Sequence, residues 1–145
     1  PGMRGWNTSK LLAKHRLVAA GLTDSLLPWS MSLSAKLTWD DGLPQRITSC
    51  AAGWDKCIYV KGDTPSFTQV DVSVGKEFAV WGQKLSLRAD VLNLFNKTNY
   101  GGFDDWGGGP GNPQNAFGGD NPNVGKPNSI RGDTRTLRLM LGYKF

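Results

Sequence analysis

The chain has 145 residues, including 19 glycines and 8 prolines, and carries a formal net charge of +5. No apolar stretch approaches the roughly 18 residues that a transmembrane helix needs, and the single histidine, His15, excludes a histidine metal cluster. The cations form no basic stripe, and no nucleophile–base pair or carboxylate pair stands out. We therefore expect no enzymatic activity, no cofactor, no metal site and no nucleic-acid partner.

Apolar and polar residues alternate along five segments of the chain, which predicts β-strands with one apolar and one polar face. In the clearest segment, Leu33 and Leu37 fall on one side, and Ser32 and Lys36 fall on the other. The first segment is weaker. The predicted strands are approximately 14–22, 30–39, 67–78, 84–94 and 134–145.

The predicted strands are longer than those of an ordinary soluble sheet. About ten residues at roughly 3.3 Å each, tilted by about 45°, span roughly 25 Å, which is the height of the apolar band of an outer-membrane barrel. The polar faces would then line an aqueous lumen, and they carry charges of both signs. The charged residues are Lys36, Asp71, Glu77, Arg88, Asp90, Arg138 and Lys144.

The connections between the predicted strands alternate between short and long. Short links follow the first and third strands, whereas residues 40–66 and 96–133 form long loops. In an up-and-down meander both long loops fall at one end of the sheet, as the outer loops of transmembrane barrels do. Residues 101–128 contain nine Gly, four Pro and five Asn, and we expect this window to hold no helix or regular strand.

Two cysteines, Cys50 and Cys57, lie in the first long loop with six residues between them. Without a further cysteine or a nearby histidine, this spacing makes a poor zinc site. We expect a local disulfide, which indicates an oxidising compartment. The alternative is a pair of free thiols in a cytosolic protein.

The segment 90–100, which reads DVLNLFNKTNY, resembles the NLFN-K-x-NY signature of TonB-dependent receptors. Segments 67–74 (FTQVDVSV) and 135–145 (RTLRLMLGYKF) resemble the strand before this signature and the terminal strand of the family. HRLV at 15–18 and DGLP at 41–44 resemble landmarks of its Oar-like, carboxypeptidase-regulatory branch. The residues that carry the family motif are Asn93, Leu94, Phe95, Asn96, Asn99 and Tyr100.

This resemblance implies an all-β fold. The chain would be an antiparallel up-and-down meander of four or five long strands, the C-terminal part of a transmembrane β-barrel of about 22 strands in the bacterial cell outer membrane. Residues 1–145 would all belong to that barrel, and the N-terminal plug would be absent. The family takes up scarce substrates such as iron chelates, cobalamin, oligosaccharides or peptides. The implied partners are outer-membrane lipid, the transported small ligand and, through the plug, the TonB complex.

Two sets of side chains are the candidate functional residues. The last predicted strand resembles the sorting signal that the barrel-assembly machinery reads by pairing with a strand edge, and its residues are Leu137, Leu139, Leu141, Tyr143 and Phe145. Aromatic side chains of the glycine-rich second loop are candidates for contact with a sugar, peptide or chelate. These are Tyr100, Phe103, Trp106 and Phe117.

Two other functions remain open from the sequence. The first is a fragment of a different outer-membrane barrel, such as a porin or an autotransporter translocator. The second is a soluble β-sandwich that serves as a carbohydrate-binding or adhesion module. A sandwich buries its apolar strand faces against each other, whereas a barrel turns them towards lipid. The exposure of these faces therefore distinguishes the two.

Overall fold

The computed structural model of the chain describes residues 12–24, 27–50, 52–62, 65–109 and 121–144. Within these ranges, no helix is long and apolar enough to cross a bilayer. A single 3-10 turn covers Pro28–Ser30. The strands are β1 (Arg16–Thr23), β2 (Met31–Asp40), β3 (Arg46–Ser49), β4 (Ile58–Lys61), β5 (Phe67–Val80), β6 (Gln83–Leu92), β7 (Tyr100–Phe103), β8 (Pro127–Ile130) and β9 (Thr136–Lys144).

The described residues divide into two compact units. The sheet unit comprises the described residues of Arg16–Trp39, Thr68–Thr98 and Gly132–Phe145, and the loop unit comprises those of Pro1–His15, Asp40–Phe67 and Asn99–Arg131. The sheet unit therefore contains the long strands, whereas the loop unit contains most of the two long connections and their short strands.

The sheet unit is a five-stranded sheet in the order β1-β2-β5-β6-β9, so each long strand pairs with the next one along the chain. β5 and β6 are antiparallel, with pairs from Val72↔Val91 to Val80↔Gln83. β6 and β9 are also antiparallel, with pairs from Lys84↔Lys144 to Leu92↔Thr136. The predicted all-β antiparallel meander is confirmed.

The turn between β5 and β6 has two residues, Trp81 and Gly82, between the paired Val80 and Gln83. Both turn residues have positive φ angles, 51° and 79°, as in the type I′ turns whose twist matches that of the flanking strands. The Pro28–Ser30 turn makes the corresponding connection between β1 and β2. We call the end of the sheet with these two connections the short-turn end.

The register sorts the side chains of β5, β6 and β9 onto two faces. Val74, Ala89 and Leu139 form one row of the apolar face. Leu139 is 69% exposed and Leu141 is 72% exposed. The buried apolar residues among those described are Ile47, Cys50 and Phe67, and all three lie in the loop unit. The leucines of the sheet are thus not packed into a core, which is the opposite of what the sandwich alternative requires.

The loop unit contains two antiparallel hairpins, β3–β4 and β7–β8. Residues 105–108 run beside β3. The Thr48 N–H donates to the carbonyl of Asp105 at 2.7 Å, and the Gly107 N–H donates to the carbonyl of Thr48 at 2.7 Å. The prediction that residues 101–128 hold no regular strand is therefore wrong at both ends of that window, where β7 and β8 lie.

Close backbone packing explains why this glycine-rich sequence forms strands. A Cβ atom on Gly102 would lie 2.6 Å from the Oγ of Ser129, and one on Gly101 would lie 2.9 Å from the Cβ of Arg131. Glycine lets the two strands of the hairpin approach this closely because it has no side chain to displace. Here the glycines mark a tight pairing rather than the absence of regular structure.

The assignment of the two faces predicts an asymmetry between substitutions. Leu139→Arg should lower the free energy of unfolding in lipid vesicles by roughly 2–4 kcal/mol, because it places a charge on the face predicted to meet hydrocarbon. Ser86→Arg, on the opposite face, should have a far smaller effect. Urea titrations followed by tryptophan fluorescence measure both changes. Equal losses would contradict the assignment of the faces.

Candidate functional site

β6 ends in a turn built around Asn93, whose φ angle is 50°. The side-chain amide of Asn93 donates to the carbonyl oxygens of Lys97 and Asp133, both at 2.9 Å, and its Oδ1 accepts from the Lys97 N–H at 3.0 Å. Asn93 is 2% exposed. Asparagine suits this position because it tolerates a left-handed backbone and offers both a donor and an acceptor. Asn93 therefore closes the turn and joins it to the residues before β9.

The other residues of the family motif have different environments. Asn96 also has a positive φ angle, 52°, and completes the turn. Leu94 and Phe95 are exposed, and Phe95 is 70% exposed. Asn99 and Tyr100 belong to the loop unit, where Asn99 is 3% exposed. Two asparagines of the motif, Asn93 and Asn99, are therefore buried, whereas its apolar side chains are exposed.

A cluster of polar side chains lies next to this turn on the polar face of the sheet. Asp71 accepts from Gln69 Nε2 at 2.8 Å and from the Asn93 N–H at 3.1 Å, and its Oδ2 lies 3.2 Å from Lys36 Nζ. Gln69 also donates to Oδ2 of Asp133 at 3.0 Å and accepts from the Asp133 N–H at 3.1 Å. The cluster therefore links β2, β5, the end of β6 and the segment before β9.

A second group of paired charges lies on the same face. Arg88 Nε is 2.7 Å from Oδ1 of Asp90, and Arg88 Nη2 donates to Oγ of Ser73 at 3.2 Å. Asp90 is 7% exposed. Buried polar groups are normally paired in this way. The chemistry offered by these groups is hydrogen bonding and charge pairing along a surface that meets water.

In the loop unit, Cys50 and Cys57 form a disulfide that closes the loop containing Trp54. The ring of Trp54 stacks on that of Trp106, with 6.0 Å between centroids and 11° between planes. A Cβ atom on Gly109 would lie 2.9 Å from Cη2 of Trp54, so glycine at this position leaves room for the ring. Trp54 remains 70% exposed. The disulfide loop therefore holds a stacked aromatic pair with a free indole surface.

A cavity of about 190 Å³ also lies in the loop unit, and its lining includes Gln45, Arg46, Phe103 and Asp105. The Nε2 of Gln45 and the Nε of Arg46 are buried and have no hydrogen-bond partner among the described residues. Buried donors normally pair with protein, water or ligand acceptors. The lining of the cavity combines polar and charged side chains with an aromatic ring.

A buried ion pair stabilises the loop unit. The guanidinium of Arg131 binds both oxygens of Asp40, at 3.0 Å and 2.6 Å. Asp40 is 0% exposed, and the Gly42 N–H donates to its Oδ1 at 3.0 Å. The guanidinium also lies 4.7 Å from the ring centroid of Phe67. Removing Arg131 would leave a buried carboxylate without its counter-charge, which is the costly way to disrupt such a pair.

A second contact joins His15 to Asp41. The backbone N–H of His15 donates to Asp41 Oδ1 at 3.1 Å, and its ring Nδ1 lies 2.8 Å from Oδ2. The backbone hydrogen bond is the main reason that the pKa of Asp41 is held below its ordinary value of 3.8. The stabilisation from this contact is therefore present above pH 3.8 and is lost as the pH falls through the lowered pKa.

The predicted ligand-contacting residues form separate contacts in the loop unit. Tyr100 meets Phe103 edge-on, with 6.1 Å between ring centroids, whereas Trp106 stacks on Trp54. Phe117 lies outside the described residues. Trp54 is not among the residues predicted from the sequence, although its place between two paired cysteines is a signal that it lies in a closed loop.

The predicted assembly residues alternate along β9. Those in the described chain lie on the apolar face of the sheet and are 58–72% exposed. They are Leu137, Leu139, Leu141 and Tyr143. Phe145, the last of the predicted set, lies outside the described residues.

The family model described as "Outer membrane beta barrel domain" matches residues 61–138, which is more than half of the chain. The chain belongs to the outer membrane beta barrel family. Searches of curated proteins and of solved structures give no match. The matched region includes β5, β6 and the start of β9, whose register defines the two faces of the sheet. The barrel is located in the outer membrane.

The Asn93 turn yields a prediction for the stability of the barrel. Asn93→Ala should lower the free energy of unfolding by about 1–3 kcal/mol, because it leaves the part-buried hydrogen bonds of Asn93 to the Asp133 carbonyl and the Lys97 N–H unmade. Asn96→Gly should have little effect, because glycine readily adopts a positive φ. The urea midpoint, read from the heat-modifiable gel shift of the folded barrel, compares the two variants. An unchanged midpoint for Asn93→Ala would show that the turn does not depend on this side chain.

Proposed function

We propose that this outer-membrane barrel is a TonB-dependent transporter of the Oar-like branch, which takes up a scarce substrate such as an iron chelate, an oligosaccharide or a peptide. The Asn93 turn carries the proposal, because it gives the NLFN segment a defined structural role at the end of β6. The contact between His15 and Asp41 adds support, since it joins the two segments that resemble landmarks of that branch.

The proposed parent is a closed barrel of about 22 strands. A barrel needs at least eight strands to close, and an unpaired strand edge within lipid costs several kcal/mol for each unsatisfied backbone group. The five-strand sheet has two edges, β1 and β9, and we infer that further strands of the same barrel pair with them. In this proposal an N-terminal plug closes the lumen and connects the barrel to the TonB complex.

The loop unit supplies the proposed capture site for the substrate. The stacked Trp54 and Trp106 present aromatic surface of the kind that packs against sugar rings or the aromatic groups of chelates. The cavity in the same unit has polar and charged side chains beside an aromatic ring in its lining. Sugars and iron chelates both combine flat apolar surface with many oxygen atoms, so the two features favour them over purely apolar compounds.

β9 supplies the proposed assembly signal. Its alternating apolar residues face lipid, and as an edge strand of the five-strand sheet it has backbone groups available for pairing. We infer that the barrel-assembly machinery pairs with this strand by backbone hydrogen bonds.

The assembly role predicts a specific defect at the end of β9. Phe145→Ala should leave less folded barrel in the outer membrane, because the aromatic end of the signal is lost. Phe145→Trp should assemble normally. The heat-modifiable fraction in outer-membrane preparations measures assembly, and unchanged assembly of the alanine variant would count against the signal.

Energy-dependent uptake tests the transport function. Cells that produce the barrel should accumulate a radiolabelled substrate from a panel of ferric chelates, cobalamin, oligosaccharides and peptides. Accumulation should disappear when either the barrel or TonB is removed, because the proposed transport draws its energy from the TonB complex. Uptake that persists without TonB would indicate a passive barrel, such as a porin, instead.

The same assay tests the capture site. Trp54→Ala should raise the substrate concentration needed for half-maximal uptake, because the exposed aromatic surface is lost. Trp81→Ala, in the tight turn between β5 and β6, is the matched control and should leave that concentration unchanged. Equal effects of the two substitutions would contradict a role for Trp54 in capture.

A further inference from the structure

Lys76 interrupts the apolar face that the paired positions of β5, β6 and β9 form. Across the paired positions of β5, β6 and β9 on that face, Lys76 is the one charged side chain. It lies in a row with Leu87 and Leu141, which are 45% and 72% exposed. A charge on the lipid-facing side of a barrel is most costly at the midplane and costs little near the headgroups. The depth of the Lys76 ammonium group in the bilayer therefore has to be explained.

The contacts of Lys76 show the direction in which its side chain extends. Its Nζ donates to the carbonyl oxygen of Trp29 in the turn between β1 and β2. The same nitrogen lies 5.4 Å from the ring centroid of Phe78, which is two residues nearer to the turn between β5 and β6. Both contacts lie towards the short-turn end. The ammonium group is thus carried away from the middle of the sheet, as expected for a lysine that reaches the membrane interface.

Aromatic side chains surround this end of the sheet. Trp29 is 77% exposed, Trp81 is 96% exposed and Tyr143 is 58% exposed. Phe78 and Tyr143 both pair with Leu85, so they lie in one row of the apolar face. Exposed aromatic residues in membrane barrels lie at the level of the lipid headgroups. The boundary of the hydrocarbon layer is therefore expected between the Lys76 row and the tight turns.

We propose that Lys76 binds the phosphate of an anionic phospholipid headgroup at the short-turn end of the barrel. An ammonium group has three donor hydrogens, and the Trp29 carbonyl takes one of them. No carboxylate of the described chain lies within ion-pair distance of Lys76. The adjacent Glu77 is on the other face of the sheet, where it lies 3.4 Å from Lys84. The remaining donors therefore suit a phosphate that reaches Lys76 from the lipid. This proposal requires the barrel but not TonB-dependent transport.

Retention of phosphatidylglycerol by the barrel purified from outer membranes tests this site, with native mass spectrometry as the readout. Lys76→Met should reduce the bound phosphatidylglycerol about five-fold, the loss expected for one lysine at an anionic surface. Lys84→Gln removes the same charge from the polar face and should retain as much lipid as the unaltered barrel. Retention by Lys76→Met equal to that of the unaltered barrel would overturn the proposal.

Two further arms separate a lipid site from a general affinity for phosphate. Lys76→Arg should retain phosphatidylglycerol, because arginine keeps the charge and its donors. Excess inorganic phosphate should fail to displace the lipid, because the acyl chains against the apolar face contribute to binding. Displacement by inorganic phosphate, or equal retention of zwitterionic phosphatidylcholine, would overturn the proposal.

Discussion

The strands of the sheet must pair all their backbone groups although no protein core covers their apolar side chains. The rest of the structure depends on this constraint. Hydrocarbon offers no hydrogen bonds, so the N–H and C=O groups of a spanning strand must be paired by neighbouring strands. The antiparallel pairs of β5, β6 and β9 meet that requirement over their whole paired length. With the backbone paired, the leucines of β9 need no protein layer over them. This explains why the buried apolar residues of the described chain, Ile47, Cys50 and Phe67, lie in the loop unit.

On the polar face of the sheet, charged groups must be paired wherever they are shielded from water. Asp71 is held by Lys36 of β2, by Gln69 of its own strand and by the Asn93 N–H at the end of β6. Asp90 is held by Arg88, which lies on the same strand. The Asn93 turn completes this arrangement at the end of β6. Backbone pairing and paired polar groups thus hold together a sheet in which the leucines of β9 are exposed.

The long strands were predictable because alternation is a local signal, and the side chains at successive positions reveal both faces. The hydrogen-bond partners of the buried polar groups were not predictable from the sequence. Gln69 binds Asp133 across 64 residues, and Asp40 binds Arg131 across 91 residues, and no local pattern connects such positions. The hairpin of β7 and β8 was missed for another reason. Its glycines usually indicate irregular chain, whereas here they permit a close approach of two strands that only the fold brings together.

The disulfide between Cys50 and Cys57 constrains the loop unit and lies outside the sheet unit. It closes a ring of a few residues and, through loop entropy, contributes roughly 2–3 kcal/mol. The ring contains Trp54 but no residue of the five-strand sheet. Reduction of the disulfide would therefore loosen the loop that holds the indole pair and leave the strand pairing of the five-strand sheet unchanged.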